Sequence, residues 1–332
     1  MNHKILKPHK SLLIFLIFQI TAFSIFGQGI REINSIHIED KHVTALNISP
    51  DNSKIICGFN NGEIIAYDAF NGNIIYQTKR HIGDINSISF DKKEKYFITA
   101  GQDKTVVVWE LNTGKQLKAY TDNGDEIWTA EFTPNGLNVV TGGTELAINV
   151  WELVSGKRYR TFWGHKDRVY DLKVTNDGNY IISVSNDRTI RKWDISKQIM
   201  LKSVEGHSNG ITTVAISPNQ SFFVTGAKDN TIKIWDIETF DNLATLRGHM
   251  WHIKKVDISP DSKYILSSSW DNTFKLWSIE TGKELKTVES HQSPVVSIVF
   301  SKDGKYIASC DESNIKLWES GLQISTNTSE NK

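Results

Sequence analysis
The stretch Ser183-Val184-Ser185-Asn186-Asp187-Arg188-Thr189-Ile190-Arg191-Lys192-Trp193-Asp194 decides the fold, because its tryptophan is one of a series. Trp109, Trp151, Trp193, Trp235 and Trp277 stand 42 residues apart. A step of 42 back from Trp109 reaches Tyr67, followed by Asp68, and a step of 41 forward from Trp277 reaches Trp318, followed by Glu319. Seven aromatic anchors at one period mean seven copies of one supersecondary unit, none of which can bury its own faces alone.

Working outward from Trp193, Gly164-His165 opens the unit. Val169, Leu172 and Val174 supply the apolar positions of a first strand, and the one-residue slip after Val169 predicts a bulge. Asn176-Asp177-Gly178 is hairpin chemistry, since these residues tolerate positive φ. Tyr180 to Ser185 reads as the second strand, Asn186-Asp187-Arg188 as a tight turn, and Thr189 to Asp194 as the third strand. A polar turn at Ser196-Lys197-Gln198 leads into a fourth strand near Ile199 to Val204. Each unit is thus a small antiparallel sheet, and a radial arrangement of such sheets buries both faces while leaving only short edges.

Composition agrees. Of 332 residues 39% are apolar and 10% aromatic, enough for a packed core, with few prolines. Lysine plus arginine equal aspartate plus glutamate at 38 each, so no global basic field draws in nucleic acid. Residues 1–27 are a different material: Lys4, Lys7 and Lys10 precede a largely apolar run from Leu12 to Phe26, followed by Gly27-Gln28-Gly29. That order reads as a bacterial export signal, and the run is short of the roughly 20 residues a bilayer span needs. The alternative is an uncleaved inner-membrane anchor, because Ile25 and Gly27 do not make a clean small-x-small cleavage site. The expected location is periplasmic or extracellular, with membrane contact only through an uncleaved leader. Cys57 and Cys310 fall in strand-like stretches and are expected to be buried free thiols, although an exported chain could pair them.

Gly-His, a Ser or Thr, a turn Asp and Trp-Asp, repeated in register over residues 31–320, resemble the tryptophan–aspartate (WD) repeat family. The resemblance implies an all-β fold, a seven-bladed propeller of four-stranded antiparallel blades, closed by an amino-terminal strand that completes the last blade. Glu32 to Ile38 is the expected closing strand, with Ile33 out of its alternation, and the polar residues 321–332 are expected to be a disordered tail. The resemblance also implies a buried tetrad in each blade: His165, Ser183, Asp187 and Trp193 in the fourth. The second carries His81, Thr99, Asp103 and Trp109; the fifth, His207, Thr225, Asp229 and Trp235; the sixth, His249, Ser267, Asp271 and Trp277. The third unit departs, with Asn123 and Glu145 in the histidine and aspartate slots, and the first has Glu39, Cys57, Asn61 and Tyr67. The seventh keeps His291, Ser309 and Trp318 but is one residue short at its turn, where Asp311 or Glu312 must serve. Units one, three and seven are therefore expected to rest more on packing than on this relay.

His165, Ser183 and Asp187 have the residue types of a hydrolase triad, but a catalytic site occurs once and this set recurs. The histidines lack the close spacing of zinc ligands, and no glycine-rich phosphate loop is present, so neither a metal nor another cofactor is expected. What remains is a set of aromatics outside the anchor slots. By the resemblance, Glu126 and Trp128, Arg168 and Tyr170, His252 and Lys254, and Trp270 lie on one rim, with Trp251 in the loop beside them. Tryptophan, tyrosine and arginine dominate interface energies, though these rings could equally pack between blades. Trp163, next to Gly164-His165, is expected to be packing. The resulting expectation is a monomeric, non-catalytic scaffold exported from a bacterial cytoplasm that recognises an unidentified protein or peptide through that rim. The alternative is an envelope propeller that stacks sugars or small molecules there.

Overall fold
The computed structural model describes residues 29–121 and 124–324. The leader at residues 1–27, Asn123 and most of the polar tail lie outside the described residues. Of that tail, residues 321–324 are described, and Leu322 packs against the cluster around Trp318.

Every regular element among the described residues is a strand, and the strands form seven four-stranded antiparallel sheets. Six sheets are built from consecutive strands: blade 1 over residues 43–79, blade 2 over 85–120, blade 3 over 127–163, blade 4 over 169–205, blade 5 over 211–247 and blade 6 over 253–288. Blade 7 uses Ser297–Phe300, Tyr306–Cys310 and Asn314–Glu319, and its fourth strand is Arg31–His37 from the other end of the chain. Arg31 faces Glu319 and His37 faces Asn314 in that register, with an irregularity between Glu32 and Asn34. The irregularity explains why Ile33 falls out of the alternation. The first strand of each blade contacts the first strand of the next, and the first strand of blade 1 contacts that of blade 7, so the ring is closed. The chain is therefore a seven-bladed propeller.

Blade 4 shows how the sequence produces the unit. Its strands are Val169–Val174, Tyr180–Ser185, Thr189–Asp194 and Ile199–Glu205. Gly178 adopts φ 73° in the first hairpin, and Arg188 takes φ 67° in the second. A non-glycine residue in the left-handed region needs support. Here Asp187 supplies it, its Oδ1 accepting from the Thr189 N–H at 2.9 Å and from the Thr189 hydroxyl at 2.6 Å. The predicted bulge is present, between Val169 and Asp171, and recurs at the same place in blades 1, 2, 3, 5 and 6.

The core is a series of clusters lying between neighbouring blades rather than one central mass. The cluster between blades 3 and 4 joins Val140, Ile148 and Val150 to Val169, Leu172 and Trp193. The blades approach so closely that a Cβ on Gly142 would lie 2.8 Å from Val169 Cγ1, so the position admits no side chain without displacement. Cys57 and Cys310 are free, buried, and members of the same cluster where blade 1 meets blade 7. Burial pushes the Cys57 thiol well above its ordinary pKa, with Cys310 adding to the shift, so both are inert packing groups.

Candidate functional site
Inside the ring, five blades carry a hydrogen-bonded relay. In blade 4 the Trp193 indole N–H donates to Ser183 Oγ at 2.8 Å, Ser183 Oγ lies 2.8 Å from His165 Nε2, and His165 Nδ1 lies 2.9 Å from Asp187 Oδ2. Because the carboxylate only accepts, the proton belongs on Nδ1, and the hydroxyl donates to Nε2. Blades 2, 5, 6 and 7 repeat the arrangement through Trp109, Trp235, Trp277 and Trp318. Burial lowers the His165 pKa, partly opposed by Asp187, and keeps the ring neutral. Burial would raise Asp187, but the bond from His165 and those from Thr189 and the Lys166 N–H outweigh it and hold the carboxyl well below its ordinary range.

Blade 7 corrects the expectation set for it. Asp311 fills the shortened turn, 2.9 Å from His291 Nδ1, and the relay is complete through Ser309 to Trp318. Its carboxyl pKa is lowered to about 2; burial opposes the shift, and bonds from His291 and the Ser313 N–H carry it. Among the described residues blade 3 shows the Trp151 to Thr141 link, at 3.0 Å, while Glu145 accepts from Asn149. In blade 1 no hydrogen bond among the described residues links Glu39, Cys57, Asn61 and Tyr67, and Asn61 Oδ1 accepts from the Glu63 N–H. A threonine two residues after the turn aspartate (Thr105, Thr189, Thr231, Thr273) also donates to that carboxylate, a fifth member the sequence reading missed although Asp-x-Thr recurs in four blades.

Ser183 is fully buried and its oxygen is occupied by the indole on one side and the imidazole on the other. A nucleophile needs access to a substrate carbonyl, which this hydroxyl does not have. The relay instead holds a loop. Asp187 accepts the Lys166 N–H at 2.8 Å, and in blade 6 Asp271 accepts the Met250 N–H at 2.9 Å. Those loops, with the turns between second and third strands, form one rim of the ring.

The bulge determines what that rim displays. A bulged residue leaves the ladder and its side chain is re-aimed. Trp128, Tyr170 and Lys254 are the bulged residues of blades 3, 4 and 6. Beside each lies the residue before the turn aspartate, tied to the start of the first strand: the Asn186 N–H donates to the Arg168 carbonyl, and the Trp270 N–H to the His252 carbonyl, both at 3.0 Å.

These residues meet as two linked groups. Trp128 and Tyr170 make an edge-to-face pair with centroids 5.2 Å apart. Lys228 joins them, 4.7 Å over the Tyr170 ring, donating to its hydroxyl at 2.8 Å and to Asn186 Oδ1 at 2.9 Å. In blade 6, Trp251 packs edge-on to His252, His252 lies 5.7 Å from Trp270, and Lys254 lies 5.8 Å over Trp270. Trp251 is 57% and Trp270 47% exposed, so neither is packing between blades. Trp128 is half-buried, and its indole N–H has no partner among the described residues.

Two of the predicted residues stand apart. Glu126 turns toward blade 2, where Asn86 donates to it at 3.2 Å. Arg168 lies beside Asp167 at 3.9 Å, with no cation–π contact to a ring of the described residues. Trp163 was expected to pack and is 63% exposed, on the outermost strand of blade 3. Lys228 and Asn186 were missed, although they occupy the same slot before the turn aspartate that singled out Trp270.

A second polar cluster lines the ring's inner strands. Asp171 accepts from Thr129 of blade 3 at 3.2 Å, from Thr213 and the Val214 N–H of blade 5 at 3.1 and 3.2 Å, and from Lys255 of blade 6 at 2.9 Å. Burial would raise its pKa, but Lys255 and Lys173 more than offset that. Glu131, near Lys173, and Asp257 lie one layer further along. Burial lifts Asp257 to about 6, opposed by the Phe300 and Ile258 N–H bonds and by the two lysines. This cluster ties four blades together. Among the described residues no group of three or more His, Cys, Asp or Glu is placed to hold a metal ion.

The comparisons with known proteins agree with this geometry. The family described as "WD domain, G-beta repeat" matches residues 72–110, 156–194, 199–236, 240–278 and 282–319. Those segments end on the anchor strands of blades 2, 4, 5, 6 and 7, the five that carry the relay. Among curated proteins, the chain is 28% identical over 102 residues to eukaryotic translation initiation factor 3 subunit I of Nematostella vectensis, covering 31% of this chain and 32% of that one. It is 29% identical over 84 residues to the SAGA complex subunit Spt8 of Schizosaccharomyces pombe, covering 25% and 16%. It is 30% identical over 77 residues to the U5 small nuclear ribonucleoprotein 40 kDa protein of Pongo abelii, covering 23% and 22%. The matched stretches span no more than about a third of these relatives. With family matches covering more than half of its length and a relay in each matched blade, the chain belongs to the WD domain, G-beta repeat family.

Proposed function
We propose that this protein is a non-catalytic scaffold that docks a protein or peptide on the rim formed by Trp128, Tyr170, Trp251, His252, Lys254 and Trp270. The observation that carries the reading is the pair Trp251 and Trp270, two large rings left in solvent on loops that the relay and backbone bonds hold rigid. Exposed aromatic rings on a rigid support give contact area at little entropic cost, which is how interface anchors work. The names of the relatives, subunits of a translation factor, of the SAGA complex and of a ribonucleoprotein, support a role inside assemblies. Export from a bacterial cytoplasm is part of the proposal and rests on the Lys4 to Phe26 leader pattern alone.

Selection of a randomised peptide library on the intact chain tests the docking reading. Peptides recovered on the wild type should lose at least tenfold in affinity for a Trp251→Ala/Trp270→Ala variant whose melting temperature is unchanged. Binders indifferent to both substitutions would remove the rim from consideration.

A further inference from the structure
Three positive or protonatable groups of this rim, Lys228, Lys254 and His252, form no hydrogen bond or ion pair with an acidic side chain among the described residues. Lys228 spends two of its three N–H donors on Tyr170 and Asn186. Lys254 is half-buried and rests over Trp270, with no hydrogen bond or salt bridge among the described residues. His252 sits between Trp251 and Trp270, its ring nitrogens likewise without a partner there. The groups feel one another. Burial and the Lys228 charge hold Lys254 below the ordinary lysine range, with Glu312 in weaker opposition. Burial, then Lys228 and Lys254, hold His252 below the ordinary histidine value.

A half-desolvated ammonium with no acceptor is unfavourable, and a second ammonium nearby makes it more so. Elsewhere in the ring the chain resolves this problem: Lys255 is bonded to Asp171, Lys275 to Glu284, and Lys316 to Glu32. At the rim Lys254 has no such acceptor among the described residues, and it rests on an aromatic face that favours positive charge but accepts no strong hydrogen bond. We infer that Lys228, Lys254 and His252 form the seat for a carboxylate, supplied by an aspartate or glutamate side chain of the docked peptide. Lys254 offers three free donors and Lys228 one, enough for the two oxygens of a single carboxylate. Residues flanking the acid would then lie on Trp251 and Trp270. The inference rests on the docking reading for its partner, and the cation cluster stands apart from it.

Two measurements test it. In the first, the His252 ring resonances of the intact protein are followed against pH with and without N-acetylglutamate. Occupation of the seat should raise the His252 pKa by at least half a unit, and a Lys228→Met/Lys254→Met variant should show no such rise. Methionine keeps the stem over each ring, and an unchanged melting temperature confirms the fold; should the pair unfold, Lys254→Met alone serves. No rise in the wild type, or an equal rise in the variant, overturns the inference. A rise with inorganic phosphate but not with N-acetylglutamate overturns the choice of carboxylate. In the second, the selected peptides are sequenced: acid enrichment at one position on the wild type, lost on the methionine variant, is expected. Tryptophan-dependent binders without that enrichment would sink the carboxylate seat and leave the docking reading standing, whereas tryptophan-independent binders would sink the docking reading.

Discussion
Blade 4 and blade 1 have the same four strands and the same bulge after their first apolar residue, yet they are held differently. Blade 4 runs a hydrogen-bonded line from Trp193 through Ser183 and His165 to Asp187. Blade 1 puts Tyr67, Cys57 and Asn61 in those slots, and its loop is pinned by other means. The His42 N–H donates to Asn60 Oδ1 at 3.0 Å, and Lys41 bonds Glu63 at 2.6 Å while lying 4.6 Å from the centre of the Phe59 ring. Its body is fixed by apolar burial against Cys310, Ile315 and Leu317 of blade 7. The difference teaches that strand pairing and inter-blade packing make a blade, while the relay fixes the loop that emerges from it.

The sharpest test of that division is Trp193→Ala, which removes a buried ring and the indole donor to Ser183 Oγ. It should lower unfolding stability by about 3–5 kcal/mol in urea titration. A loss under about 1 kcal/mol would show that the relay blades need their anchors no more than blade 1 needs a relay. Next comes Asp171→Ala, which unpairs Lys255, Thr129 and Thr213 at once and tests whether blades 3 to 6 form a tied sector. A loss of about 2 kcal/mol is expected, since the buried carboxylate is the acceptor of both threonine hydroxyls while the Lys255 ammonium stays partly in solvent. The same substitution should leave peptide binding at the rim unchanged. The smallest effect belongs to Tyr67→Phe. No hydrogen bond ties the Tyr67 hydroxyl to another described residue, so the change should stay within about 0.5 kcal/mol. A larger loss would reveal a link in blade 1 and blur the contrast.

The period of 42 was enough to read the fold, because each copy repeats the same alternation, turn and anchor, and errors in one copy are corrected by the others. The closing strand, expected at Glu32 to Ile38 and found at Arg31–His37, was legible for the same reason: blade 7 lacked a fourth strand and the chain before blade 1 offered one. What escaped were features that depart from the repeat. Asp171, Lys173 and Lys255 are each unique to their blade at that position, so no period reveals that they converge. The shortened turn of blade 7 left Asp311 and Glu312 equally eligible, and only the distance to His291 separates them. At the rim, the slot before the turn aspartate was recognised through a tryptophan, and Lys228 in the same slot passed unnoticed because its partner Tyr170 lies 58 residues away.

The strand that seals blade 7 also sets a timetable. Arg31 meets Glu319 across a separation of 288 residues, whereas the strands of every other blade lie within a few dozen residues of one another. During synthesis, wedges one to six can assemble as they emerge, while the earliest strand waits unpaired for the last to leave the ribosome. Contacts so distant along the chain carry a heavy entropic toll on folding speed. Shutting the circle is therefore expected to come last, an order that pulsed hydrogen exchange at Arg31–His37 would check, and until then Asn314–Glu319 presents a bare β edge to its surroundings.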